Sequence, residues 1–244
     1  HAQSISHGFD QLVLSEEFFS EGACLADIDA DGHADVVSGP YWYAGPEFRS
    51  RHAYAPARRF SIKGYSDHFF TFAEDFNSDG RVDLLTIPIP GLNSYWYENP
   101  GKLGINWKKH LVLDDVGNES PTLTDLTGDG RTELICCRGG SIGYASRDTG
   151  NPSAPWKYTP ISDNRGFGRF THGLGVGDLN GDGRNDVLER SGWWEQPETN
   201  GSLFKFHPFP FAQSGGAQMF AYDFDGDGDT DVYLPAEDLF FTSN

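Results

Sequence analysis

Residues 178–186 read DLNGDGRND, and the same pattern recurs four more times along the 244-residue chain. DIDADGHAD from Asp27, DFNSDGRVD from Asp75, DLTGDGRTE from Asp125 and DFDGDGDTD from Asp223 align with it without gaps. The five starts lie 48, 50, 53 and 45 residues apart. Nine-residue matches at near-even spacing mark a repeat protein, in which each period is one supersecondary unit stacked on the next.

The pattern places oxygen-bearing side chains at positions 1, 3, 5 and 9 of each loop and glycine at position 6. That arrangement suits a hard cation, because calcium takes six to eight oxygen ligands and the glycine permits a sharp turn. The predicted ligands are Asp27, Asp29, Asp31 and Asp35 in the first loop and Asp75, Asn77, Asp79 and Asp83 in the second. Asp125, Thr127, Asp129 and Glu133 follow in the third, Asp178, Asn180, Asp182 and Asp186 in the fourth, and Asp223, Asp225, Asp227 and Asp231 in the fifth. The start resembles that of an EF-hand loop, but the last acid stands at position 9 rather than 12, and the flanks alternate like strands. ACLAD and DVVSG, FTFAED and VDLLTI, and LGVGD and NDVLE bracket their loops in this way. Each loop therefore joins two strands and is expected to hold a structural calcium, up to five in all.

These loops resemble those of the FG-GAP (VCBS) repeat family. SGPYWYAGPEF, SYWYENPG, RFTHGLGVGDLNGDGR and GGAQMFAYDFDGDGD also resemble bacterial VCBS proteins of the planctomycete kind and the propeller domains of fungal aldos-2-ulose dehydratases. The resemblance implies an all-β, calcium-binding β-propeller with a carbohydrate-linked function. An aromatic third strand follows in each repeat, as PYWYAGP (40–46), NSYWYENP (93–100), SIGYAS (141–146), SGWWEQP (191–197) and a shortened DLFFTSN (238–244). A fourth strand follows in all but the last, where the sequence stops. FDQLVLS (9–15) has no other partner and is expected to pair with the last blade at 218–244. The reading is one domain over 1–244, with five four-stranded blades closed by the N-terminal strand, since closure removes exposed sheet edges. A piece of a longer propeller is the alternative.

Aromatics recurring at one place in each repeat read as packing between blades. Trp42, Trp96 and Trp193 are assigned to the core, while Trp194 breaks the pattern and is placed nearer the surface as a substrate contact. The three cysteines, Cys24, Cys136 and Cys137, lack the spacing of a disulfide framework or a zinc site and read as small buried apolar side chains. With 18 basic and 36 acidic residues the formal charge is −18, which excludes nucleic acid as a partner. No apolar run is long enough for a membrane span. Seventeen of the carboxylates are predicted ligands, so five divalent ions carrying +10 bring the charge to −8. Weak calcium sites of this kind fit an extracellular or periplasmic, secreted protein.

Polar residues just ahead of the first strands are expected at one mouth of a central channel. They include Glu21, His68, Asn118, Glu119, His172 and Gln218. His68, Glu119 and His172 are the candidate catalytic residues, and an additional divalent metal is a possibility at this mouth. Arg58 and Arg59, in the basic connection leading to His68, join Arg169, Gln218 and Trp194 as candidate contacts for carbohydrate, including an acidic sugar. Three functions stay open: a sugar lyase or dehydratase, a lectin-like or adhesive module without catalysis, and a structural scaffold.

Overall fold

The computed structural model describes residues 10–199, 202–212 and 218–234. Described residues form strands and loops without a helix. The first sheet holds β1 (Ala23–Ala26), β2 (Asp35–Ser38), β3 (Tyr41–Ala44) and β4 (Ser50–Ala53). The second holds β5 (Phe70–Glu74), β6 (Asp83–Ile87), β7 (Ser94–Glu98) and β8 (Lys108–Leu113). The third holds β9 (Thr122–Thr124), β10 (Glu133–Arg138), β11 (Ser141–Ser146) and β12 (Lys157–Pro160). The fourth holds β13 (Leu174–Gly177), β14 (Asp186–Glu189), β15 (Gly192–Glu195) and β16 (Lys205–Pro208). Each is an antiparallel meander in chain order, and β17 (Phe220–Tyr222) with β18 (Asp231–Tyr233) makes a fifth, two-stranded sheet. Every acidic loop joins the first two strands of its sheet, as expected.

The sheets are linked through their first strands or the residues leading into them. The Gly22 amide donates to the His68 carbonyl, Glu119 to Thr171 and Met219 to Leu174, and the bridges Asn118–Thr171 and Leu174–Gln218 run parallel. Similar first strands set side by side in parallel are the arrangement of a propeller-like fold. Gly175 shows how close the approach is: a Cβ there would lie 2.5 Å from the Met219 carbonyl oxygen.

The core lies in layers between consecutive sheets. Val37 and Trp42 of the first sheet pack on Leu84 and Tyr97 of the second. Leu85 and Trp96 pack on Leu134, Cys136 and Ala145, while Ile135, Cys137 and Tyr144 pack on Val187 and Trp194. The period of two sends Cys136 and Cys137 to opposite faces of β10, each buried and free of a disulfide.

One expectation needs correction. Trp194 is not a surface contact: it is 2% exposed and occupies the place that Tyr97 holds in the second sheet, facing the preceding sheet. Trp193 holds the place of Trp42 and Trp96, stacks on His207 at 4.2 Å, and stays half-buried. Its face points toward the fifth sheet, of which only two strands are described. Residues 10–15 form no strand, while Phe9 and the segment 238–244 fall outside the described residues.

Candidate functional site

The acidic loops are built alike. In all five, the first carboxylate accepts the amides of positions 5 and 6, as Asp75 does from Asp79 at 3.1 Å and Gly80 at 2.8 Å. The glycine at position 6 is left-handed in every loop, from +82° at Gly130 to +96° at Gly228, a backbone that a Cβ disfavours. The position-9 carboxylate has a role beyond that of a ligand. One oxygen of Asp83 accepts the Phe76 amide at 3.1 Å and the other the Asn99 amide at 2.8 Å, tying the loop to the end of β7. Asp35 does the same with Ile28 and Gly45, and Asp186 with Leu179 and Gln196. These three side chains are fully buried. The hydrophobic residue at position 2 and the strand-end register carry this brace, which ligand counting alone does not reveal.

The donor set fits a metal. Asp27, Asp29 and Asp35, Asp125, Asp129 and Glu133, and Asp223, Asp225 and Asp231 each bring three carboxylate oxygens within 4.8 Å of one another. Burial, followed by the charges of Asp31 and Asp35, raises the Asp29 carboxyl. Burial pushes Asp83 up to about 7 and Asp186 up to about 6, against the lowering effect of their amide bonds. A cation among these groups relieves both the desolvation and the repulsion. Arg81, Arg131 and Arg184 at position 7 reach back to Asp79, Asp129 and Asp182.

The residues ahead of the first strands divide into several small clusters. Glu119 and His172 meet, with Oε2 2.9 Å from Nε2 and both side chains partly exposed. His68 does not join them. It is 7% exposed, its ring lies edge-on to Tyr54, and neither ring nitrogen has a hydrogen-bond partner. Burial lowers it to about 4, so it is a neutral packed side chain rather than an accessible base. Glu21 accepts the Ser66 amide and hydroxyl, Asn118 accepts the Cys137 amide, and the Gln218 amide donates to the Thr122 hydroxyl at 2.5 Å. Among the described residues, groups of three clustered metal-type side chains lie in the acidic loops; ahead of the first strands two such side chains meet, Glu119 and His172.

Arg58 and Arg59 are exposed and paired with Asp67 and Glu17. Arg169 instead borders a cavity of about 550 Å³ with Arg165, His172, Glu189 and Arg190. Sequence reasoning passed over Glu189, which by register holds the place of Arg138 at the end of the second strand, and Arg190 in the β14–β15 turn itself. Around the loops, a second cavity of about 460 Å³ opens between the first and second sheets. Trp42, His52 and Trp107 give it an aromatic wall, with Asp29, Arg81 and Lys102 among its polar lining.

The FG-GAP-like repeat model matches residues 75–136 and 125–189, so the chain carries FG-GAP-like repeats. No curated protein sequence matches the chain. Among solved structures, it is similar to an Agrocybe aegerita lectin described for specific recognition of non-reducing terminal N-acetylglucosamine. The identity is 21% and the TM-score 0.54, over 86% of this chain and 59% of the lectin's length. The V. cholerae biofilm matrix protein Bap1 is matched at 18% identity and a TM-score of 0.40, over 67% of this chain and 27% of that protein.

Proposed function

We propose that this chain of FG-GAP-like repeats is a secreted, calcium-stabilised five-bladed propeller that binds carbohydrate. The observation that carries the reading is the cavity between the first two sheets. The rings of Trp42 and His52 pack 4.4 Å apart at a tilt of 35°, and with the largely buried Trp107 they line an apolar wall against which the C–H face of a sugar ring can lie. Carboxylates, a guanidinium and a lysine surround that wall, the mixture of apolar surface and convergent polar groups typical of ligand cavities. Asp27 and Asp29 belong to both the cavity and the first acidic loop, so calcium there orders one side of the binding site. The lectin likeness supports the fold of this reading. Isothermal titration with neutral oligosaccharides tests it. His52→Ala and Lys102→Ala are each expected to weaken binding several-fold with little change in melting. Unaltered affinity in both variants would refute the assignment.

Closure of the ring by residues 9–15 belongs to the same proposal. The fifth sheet has two described strands, and a completing strand would pair with its open edge. Deletion of residues 1–15 is expected to lower the melting temperature; unchanged melting would argue against this closure.

A second reading, elimination from an acidic sugar, is favoured by the Glu119–His172 pair. A carboxylate 2.9 Å from Nε2 orients the imidazole, which would take the proton next to the sugar carboxylate while the leaving group departs from the neighbouring carbon. Arg169 would hold the charge that develops on the carboxylate. His172→Gln should abolish formation of unsaturated product; retained turnover would exclude His172 as the base.

A further inference from the structure

The twelve arginines of the chain divide unevenly. Eight pair with carboxylates. Among the described residues, Arg49, Arg51, Arg169 and Arg190 have no acidic partner within ion-pair distance. Arg51 lies over the Tyr41 ring on the outer strand of the first sheet. Arg169 and Arg190 line one cavity, at the opposite end of the strands from the acidic loops. In a chain of charge −18, two guanidiniums without carboxylate partners beside one cavity make a local positive field in an otherwise negative surface.

The surrounding residues shape that cavity for more than a bare ion. Arg165 is anchored by Asp163 at 2.8 Å and lies over the Trp194 and Phe206 rings, at 4.4 and 4.3 Å, which fixes one wall. Phe170 is 45% exposed at the rim and held at φ +65°, an uncommon backbone for a bulky residue. An aromatic face is thus displayed beside the guanidiniums. Glu189 is the single carboxylate in the lining and is itself buried; burial raises its carboxyl, while the charges of Arg190 and Arg165 lower it. Another arginine, Arg138 at the end of β10, lines the neighbouring cavity of about 290 Å³, which Arg169 also borders. Arg138 is bound to Asp114, so the anion-seeking pair is Arg169 and Arg190.

We infer that the cavity bounded by Arg165, Arg169, Phe170 and Arg190 binds the oxyanion of an acidic saccharide, a uronate carboxylate or a sulfate ester. Arg169 and Arg190 contact the anionic group, since guanidinium offers paired donors to carboxylate and sulfate oxygens. Phe170 lies against the adjoining sugar ring. This inference rests on carbohydrate as the ligand class but not on the aromatic cavity between the first two sheets, and the two sites are separable by experiment.

The test is titration of the whole chain, in calcium, with a polyuronate oligosaccharide, a sulfated oligosaccharide and a neutral one of equal length. At least one acidic oligosaccharide is expected to bind, with affinity falling as salt is raised, and the preference between them identifies the anionic group. Arg169→Gln and Arg190→Gln should each weaken that binding about 10-fold or more, as expected for loss of a charge-assisted hydrogen bond. Arg190→Lys should recover part of the loss. His52→Ala should leave acidic binding intact, and the arginine variants should leave neutral binding intact. Failure of both acidic oligosaccharides to bind, or retention of affinity within twofold in the double glutamine variant, would overturn the inference. A loss confined to His52→Ala would assign acidic binding to the aromatic cavity instead.

Discussion

Asp83→Asn separates the two roles of the position-9 carboxylate. Asp83 is fully buried, and its two oxygens accept amides from Phe76 at 3.1 Å and Asn99 at 2.8 Å. An asparagine keeps one acceptor and turns an NH₂ group toward the other amide. That leaves a buried donor unsatisfied, a loss of about 1–3 kcal/mol. For a chain of this length about 2 kcal/mol corresponds to a fall of roughly 4–8 °C in melting temperature. Asp79→Asn is the control. Asp79 is a proposed ligand in the same loop, but among the described residues its acceptor contacts are with Arg81 and the Asn77 amide on the exposed loop. Thermal melting followed by tryptophan fluorescence in excess chelator at pH 5, where the raised carboxyl of Asp83 is uncharged in the fold and its removal relieves no buried charge, should show a clear loss for Asp83→Asn and a change below about 1 °C for Asp79→Asn. In calcium both variants should lose stability relative to the unmodified chain, because both lose a ligand. Equal, small shifts for the two variants in chelator would refute the buried brace and leave Asp83 as a ligand alone.

Three further outcomes are expected. Chelation should lower the melting temperature of the unmodified chain substantially: sites of about 0.1 mM affinity in about 1 mM calcium contribute about 1.4 kcal/mol each, and unchanged melting would exclude structural calcium. In chelator, stability should fall as pH rises from about 4 toward 7. The folded-state values of Asp83 and Asp186 are raised to about 7 and about 6, so their unfolded forms ionise first and the stability present in acid is lost through that window. Calcium should flatten this dependence, and a chelated protein that gains stability from pH 5 to 7 would contradict it. Gly175→Ala should destabilise the chain by about 1–3 kcal/mol, measured by denaturant unfolding, since the added methyl meets the Met219 backbone. A neutral effect would mean that the fourth and fifth sheets do not approach as closely as described.

The sequence by itself determined the repeat, the strand–loop–strand unit and the clustering of acidic side chains in each loop. Those features are local: nine residues at fixed offsets set the turn, the glycine conformation and the side chains that converge, whatever lies elsewhere in the chain. The tertiary structure decided what meets between repeats. Glu119 and His172 come from consecutive sheets and pair, whereas His68, one place further from its own loop in the second repeat, is packed against Tyr54. Trp193 and Trp194 are adjacent in sequence, and only the packing of neighbouring sheets decides which face of β15 is covered. Arg58 and Arg59 looked like the basic approach to a site, yet local carboxylates claim them, while Arg169 and Arg190 gain their shared cavity from a connection folding over a strand turn. These outcomes depend on contacts between residues far apart in the chain, where residue type and spacing set no distance.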